Sequence, residues 1–274
     1  IDLAKKGLLT WILLSFNFVS LFAQQAPPFL ADKYEQWADS VLTTLSSEER
    51  IAQLIMIPAY SNKDKVHVYS IAGLVEEYGV GGIIFIQGGP VRQAQMINKF
   101  QKLSKVPLMI SLDGEWGLKM RLDSTVRFPY QMALGGLTDE SLIYEMGAEV
   151  ARQAKRAGIN VNFAPVVDVN NNANNPVIGF RSFGEEKENV ASKSLAYMKG
   201  MQDNGILASA KHFPGHGDTN VDSHYGLPVL HFSKNRLKEL ELYPFKQLMD
   251  QGLGSVMVAH MEIPVLDSVE NSPS

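Results

Sequence analysis

The 274-residue sequence contains no cysteine. Disulfides, thiolate nucleophiles, Cys-ligated zinc and iron–sulfur clusters are therefore excluded. A basic surplus is also lacking: 25 Lys and Arg stand against 29 Asp and Glu, a formal net charge of -4. So little positive charge argues against nucleic acid as a partner. There is no Gly-x-Ser-x-Gly elbow and no Gly-Lys-Ser/Thr phosphate loop, and Gly79-Val80-Gly81-Gly82 lacks the last glycine of a dinucleotide fingerprint. Low-complexity linkers are missing too. The one long apolar run, residues 7–22, covers about 16 residues, short of the ~20 a membrane-spanning helix needs. Lys5 and Lys6 precede it and Ala23 follows, which is the layout of a secretory signal peptide over 1–23. Residues 24–44 read as a lead-in. Export to the periplasm or the medium is expected, with no stable membrane span after cleavage.

The composition, 45% hydrophobic and 20% charged, is that of a globular chain. Short runs rich in Ile, Val and Met, apolar on both faces, predict strands at 54–58, 82–86, 108–112, 161–169, 207–210 and 255–259. Strands of a buried parallel sheet read this way. Helical patterns lie between them. Ser46-Ser47-Glu48-Glu49 is a capping box. Thr138 is expected to cap a helix whose Leu142, Ile143, Met146, Val150 and Ala154 make one stripe, ending at Gly158. Val190, Ser194, Leu195, Met198 and Met201 make the next, ending at Gly205, and a further helix starts near Ser233. Regular alternation predicts one α/β domain over 45–274, a (β/α)8 TIM-type barrel. With about six βα units in view against the eight of a closed barrel, it is expected to be incomplete in this chain, cut short at its C-terminus.

Active sites of such barrels collect at the strand C-termini. Asp113 and Glu115 follow the third strand, Asp168 ends the fourth, Lys211 and His212 end the fifth, and His260 ends the sixth. The densest signal is Lys211-His212-Phe213-Pro214-Gly215-His216-Gly217-Asp218-Thr219, continuing to Asp222-Ser223-His224. Four of the six histidines fall between residues 212 and 231. Asp222 beside His224 can fix an imidazole tautomer and make a general acid/base near neutral pH, or be a solvated pair. A metal held by His212, His216, Asp218, Asp222 and His224 is the competing reading. Pro214, Gly215 and Gly217 forbid a regular helix there, so the four-residue spacing does not put two imidazoles on one face.

The run 211–219 with its trailing Asp222-Ser223-His224 resembles the signature of glycoside hydrolase family 3, in its β-N-acetylglucosaminidase branch. Asn175-Pro176-Val177-Ile178-Gly179 with Arg181-Ser182-Phe183-Gly184 is a second match, and Asp113-Gly114-Glu115-Trp116-Gly117 with Arg121 a third. The resemblance covers about residues 45–264. It implies a retaining glycosidase acting on β-linked N-acetylglucosamine in peptidoglycan fragments or chitin-type oligosaccharides, with no cofactor and no metal. Asp222 and His224 then correspond to the acid/base dyad. Asp113, Arg121, Arg181, Lys211 and His212 correspond to sugar-binding residues, all able to make charge-assisted or directional hydrogen bonds to hydroxyls.

The chain departs from the family at Gly114, Trp116, Leu118 and Lys119, and Trp116 is read as a packing residue. The family nucleophile, an aspartate after a seventh strand, has no counterpart here; Asp267 follows Pro264 too closely. The chain alone is therefore expected to be inactive. A β-glucosidase-type member, a non-catalytic sugar-binding protein and a metal hydrolase are the rivals.

Overall fold

The computed structural model of the chain describes residues 34–222 and 225–274. The expected signal peptide and residues 24–33 of the lead-in lie outside the described residues. Helix α1 spans Glu35–Thr43 and α2 spans Ser47–Ala52. The capping box is present: Ser46 Oγ accepts from the Glu49 N–H while the Glu49 carboxylate accepts from the Ser46 N–H. Strand and helix then alternate: β1 Met56–Tyr60, α3 Lys65–Tyr78, β2 Gly82–Gln87, α4 Pro90–Leu103 and β3 Met109–Leu112. The short α5, Gln131–Gly135, precedes α6, Ser141–Arg156, and β4, Val161–Asn162. Then come α7 Lys187–Asp203, β5 Leu207–Phe213, α8 Leu242–Asp250 and β6 Ser255–Val258.

The strands form one parallel sheet of six in the order β1 to β6. No pairing joins β1 to β6 among the described residues, so the sheet is an open arc of a (β/α)8 barrel. The inner strands β2 to β5 are largely buried, while the edge strands β1 and β6 are only partly covered, Val258 being 61% exposed. Ile83, Phe85, Ile110, Leu112, Ala208 and Ala210 are fully buried, each larger side chain contributing about 1.5–3 kcal/mol.

Three expectations are corrected. The strand at 161–169 is only two residues long, with one further bridge from Val166 to Lys211. Pro165 has no N–H for a ladder, yet irregular pairing to β5 continues past it: Ser209 N–H donates to the Ala164 carbonyl, Lys211 N–H to that of Pro165, and Val167 N–H to that of Lys211, with Ala164, Val166, Val167 and Val169 buried. Thr138 does not cap α6. The N-cap is Glu140, and the Asp139 carboxylate accepts the Ser141 N–H. Leu142 does not join the apolar stripe of α6 but is 51% exposed, while Ile143, Met146, Val150 and Ala154 are buried. Near Ser233 the helix does begin as read, but a π-helical turn, Leu237–Glu241, separates its first turn from α8.

Helices α6 and α7 approach closely through Gly147 and Gly200. A Cβ on Gly200 would lie 2.1 Å from the Tyr144 carbonyl oxygen. Gly73, inside α3, has nothing within 4 Å of such a Cβ. Gly200→Ala is therefore expected to destabilise by about 1–3 kcal/mol, lowering Tm by several degrees. Gly73→Ala is expected to raise Tm by a few degrees, from about 0.5–1 kcal/mol of helix preference. Thermal unfolding by circular dichroism checks both signs.

Candidate active site

The polar residues meet where β3, β4 and β5 end. Asp113 and Glu115 leave β3 as alternate residues around Gly114. Gly114 is pinned from below: its N–H donates to Asn162 Oδ1 at 2.8 Å, and its carbonyl accepts from the Tyr197 hydroxyl at 2.9 Å. A Cβ at 114 would press on Asn162 at 3.0 Å, which accounts for glycine there. Lys211, near the end of β5, reaches across the sheet. Its Nζ lies 2.8 Å from both Asp113 Oδ1 and Glu115 Oε1. The lysine is only 2% exposed and Glu115 not at all.

Glu115 is held from its other side by Arg181, which closes the short turn Gly179–Arg181. Arg181 Nε donates to Oε2 at 2.9 Å and Nη2 to Oε1 at 2.8 Å, a two-pronged pair. Arg121 donates to Asp113 Oδ2. It stands on a segment stitched to the end of β2, where the Gly88 N–H donates to the Arg121 carbonyl and the Asp123 N–H to the Gly88 carbonyl. Two carboxylates and three cations thus share one network. Burial pushes both carboxyls up, and the neighbouring cations outweigh it. Asp113 is held below the usual carboxylate range by Lys211 and Arg121, and Glu115 at about 2 by Lys211 and Arg181.

A second carboxylate organises the loop after β5. Asp168 is fully buried beyond β4. Its oxygens accept the His212 N–H at 3.2 Å, the His216 N–H at 2.7 Å and His212 Nδ1–H at 2.7 Å. Burial opposes its ionisation, and these contacts with the His212 ring outweigh it, so its carboxyl is lowered. Arg181 Nη2 donates to His212 Nε2 at 3.2 Å. A guanidinium only donates, so Nε2 is an acceptor and the ring proton sits on Nδ1. Both His212 nitrogens are thereby engaged, which removes this ring from the metal reading. His216 is buried, which pushes its imidazole down, and Nδ1 faces the Thr219 hydroxyl.

Of the residues singled out in the sequence, Asp113, Arg121, Arg181, Lys211 and His212 come together in one cluster. Lys211 is sealed behind Asp113 rather than open at the surface. Asp222 is half-buried on the loop, its carbonyl accepting the N–H groups of Tyr225 and Gly226. His224 lies outside the described residues. Glu115 and Asp168, visible in the sequence only as strand-end carboxylates, are the two organising acids. Their partners are distant in sequence, Arg181 standing 66 residues from Glu115 and His212 standing 44 from Asp168. Only the parallel order of the strands could have joined them.

Glu115→Gln takes the paired carboxylate from Arg181 and leaves Lys211 with Asp113 alone, and is expected to cost about 3–5 kcal/mol at neutral pH. Its folded carboxyl lies below its ordinary 4.5 at about 2, so its stabilisation is complete above 4.5 and lost as pH falls toward 2. Urea unfolding between these pH values should show a weaker pH dependence in Glu115→Gln than in the parent. An identical dependence would mean that Glu115 is not ionised in the fold.

Residues 46–274 match the Glycosyl hydrolase family 3 N terminal domain. Beta-hexosaminidase A of Pseudoalteromonas piscicida is 36% identical over 212 residues, 72% of this chain and 36% of that protein. A glycoside hydrolase family 3 beta-N-acetylglucosaminidase from Paenibacillus sp. str. FPU-7 has a similar structure, with TM-score 0.76 and 37% identity over 84% of this chain and 44% of that one. M. tuberculosis LpqI superposes with TM-score 0.72 and 30% identity over 82% of this chain and 65% of that one. The chain thus spans less than two thirds of each relative. The open parallel arc, the cluster at its strand ends and these matches agree: the chain belongs to glycosyl hydrolase family 3, and residues 46–274 are its N-terminal domain.

Proposed function

We propose that the protein is a retaining glycosidase that releases β-linked N-acetylglucosamine from peptidoglycan fragments or chitin-type oligosaccharides. One observation carries the sugar-binding part. Asp113, Arg121, Arg181 and His212 each keep a partly exposed edge above the sealed Lys211–Glu115 floor. Ionised acceptors and fixed donors at one bowl suit a polyhydroxyl ligand. Lys211 acts through Asp113, keeping that carboxylate charged as a hydroxyl acceptor. The names of the relatives support the choice of N-acetylglucosamine.

In this reading His224, as imidazolium, protonates the leaving oxygen while a carboxylate attacks the anomeric carbon. The neutral imidazole then takes a proton from water, which opens the glycosyl–enzyme ester and regenerates both groups. Asp222 holds the imidazole tautomer and supports its charge. None of the residues 34–274 is assigned as the attacking carboxylate. The basic flank and apolar run of residues 1–23 support export to the periplasm or medium. Among the described residues, no helix is long and apolar enough to cross a membrane.

Calorimetric titration with N-acetylglucosamine tests the binding half on this chain. Saturable binding is expected, and Arg181→Lys should weaken it about tenfold or more by breaking the two-pronged geometry. Turnover of a chromogenic β-N-acetylglucosaminide, measured on this chain and on one continued through the rest of its gene, tests the chemical half. His224→Ala should lower kcat by about 10²–10⁴-fold in whichever form is active. Absence of any saturable sugar binding would overturn the proposal.

A further inference from the structure

A cavity of about 560 Å3 opens between helices α4 and α6, a size that suits a small molecule. Each helix turns one stripe toward it, of residues three and four apart. On α4 the stripe runs through Val91, Ala94 and Asn98, and on α6 through Glu149, Arg152 and Arg156. This is not the face that α6 packs into the core, which carries Ile143, Met146, Val150 and Ala154. Leu118 and Val126 complete the lining from the segment after β3. That segment separates the cavity from the charged cluster. The Leu118 carbonyl accepts the Arg121 and Leu122 N–H groups at 3.0 and 2.8 Å, so the turn is tight. Arg121 leaves it toward Asp113, while Leu118 and Val126 line the cavity. The cavity is therefore a site of its own and not an extension of the sugar bowl.

Two properties of the walls define the occupant. The first is apolar surface left in water: Val91 is 69% exposed and Val126 58%. The second is unmatched positive charge. Both oxygens of Glu149 are already taken, since Arg152 Nε donates to Oε2 and Nη2 to Oε1, each at 2.6 Å, and Gln153 Nε2 donates to Oε1 at 2.8 Å. Arg156, one turn further along α6, has no carboxylate partner among the described residues. One acid against two arginines leaves the lining one positive charge in excess. We propose that this cavity binds a small amphipathic carboxylate, its apolar chain against Val91, Ala94, Leu118 and Val126 and its head at Arg156. Burial of the chain supplies the affinity, and the guanidinium selects the charge.

The test is calorimetry with octanoate, 1-octanol and octylamine, which share one chain and differ in the charge of the head. Octanoate, below its micelle concentration, should bind the parent chain saturably. It should bind more tightly than 1-octanol by about fivefold or more, with octylamine weakest. Acetate, which has the head without the chain, should not bind measurably at the same concentrations. Arg156→Gln should bring octanoate to the level of 1-octanol and leave 1-octanol within about twofold. Ala94→Phe, which fills the space, should weaken both. Arg156 is exposed and Ala94 half-buried, and an unchanged Tm verifies that each variant folds. N-acetylglucosamine should not displace octanoate. No binding of octanoate, equal affinity for the three heads, or an affinity unmoved by both substitutions would overturn the proposal. Displacement by N-acetylglucosamine would merge the cavity with the sugar site and overturn it as well. Octanoate binding is read without sugar, so this proposal fails or holds apart from the proposed function.

Discussion

The site depends on one ammonium group. Lys211 Nζ sits between Asp113 and Glu115, nearly out of contact with water, and its charge is the largest of the influences that keep both carboxylates ionised. Such a group is costly to bury alone. It is tolerable here because the charge continues outward, from Glu115 to Arg181 and from Asp113 to Arg121. Three strands and two loops are held in relation by that sharing. The parallel sheet supplies the geometry, since side chains at adjacent strand ends all project to one side of the barrel. The network in turn fixes loops that have few backbone partners of their own.

Much of the fold was legible in the sequence, for a simple reason. Strands covered on both faces must be apolar throughout, so short Ile- and Val-rich runs between capped helices give them away. The failures are physical as well. Residues 163–169 are as apolar as a strand, yet beyond Asn162 their pairing to β5 is irregular around Pro165, and hydropathy cannot separate a regular ladder from a broken one. At the start of α6 three residues in a row can cap, and which one does depends on how the preceding turn enters. Leu142 sits at the edge of a stripe, where a small rotation of the helix decides exposure.

The site was legible to a different degree. Five residues named through the family resemblance meet in one cluster. It did not reveal how they are arranged. The sequence offers no sign that Lys211 faces inward while Arg181 keeps an open edge, because both follow from contacts spanning 66 to 98 residues. Asp168 is a similar case. A single carboxylate after a strand reads as a loop residue until the chain from His212 to His216 is seen wrapped around it.

The tautomer of His212 has a wider consequence. With Nδ1–H donated to Asp168 and Nε2 accepting from Arg181, both ring nitrogens are already in use. The sealed floor of the cluster is a set of paired charges and dipoles. In the proposed reading the reacting groups are brought in on other parts of the chain. In that reading, grip and reactivity belong to separate pieces of polypeptide. Over evolutionary time one could be exchanged, giving a new leaving group or a new acceptor, while the other is left untouched.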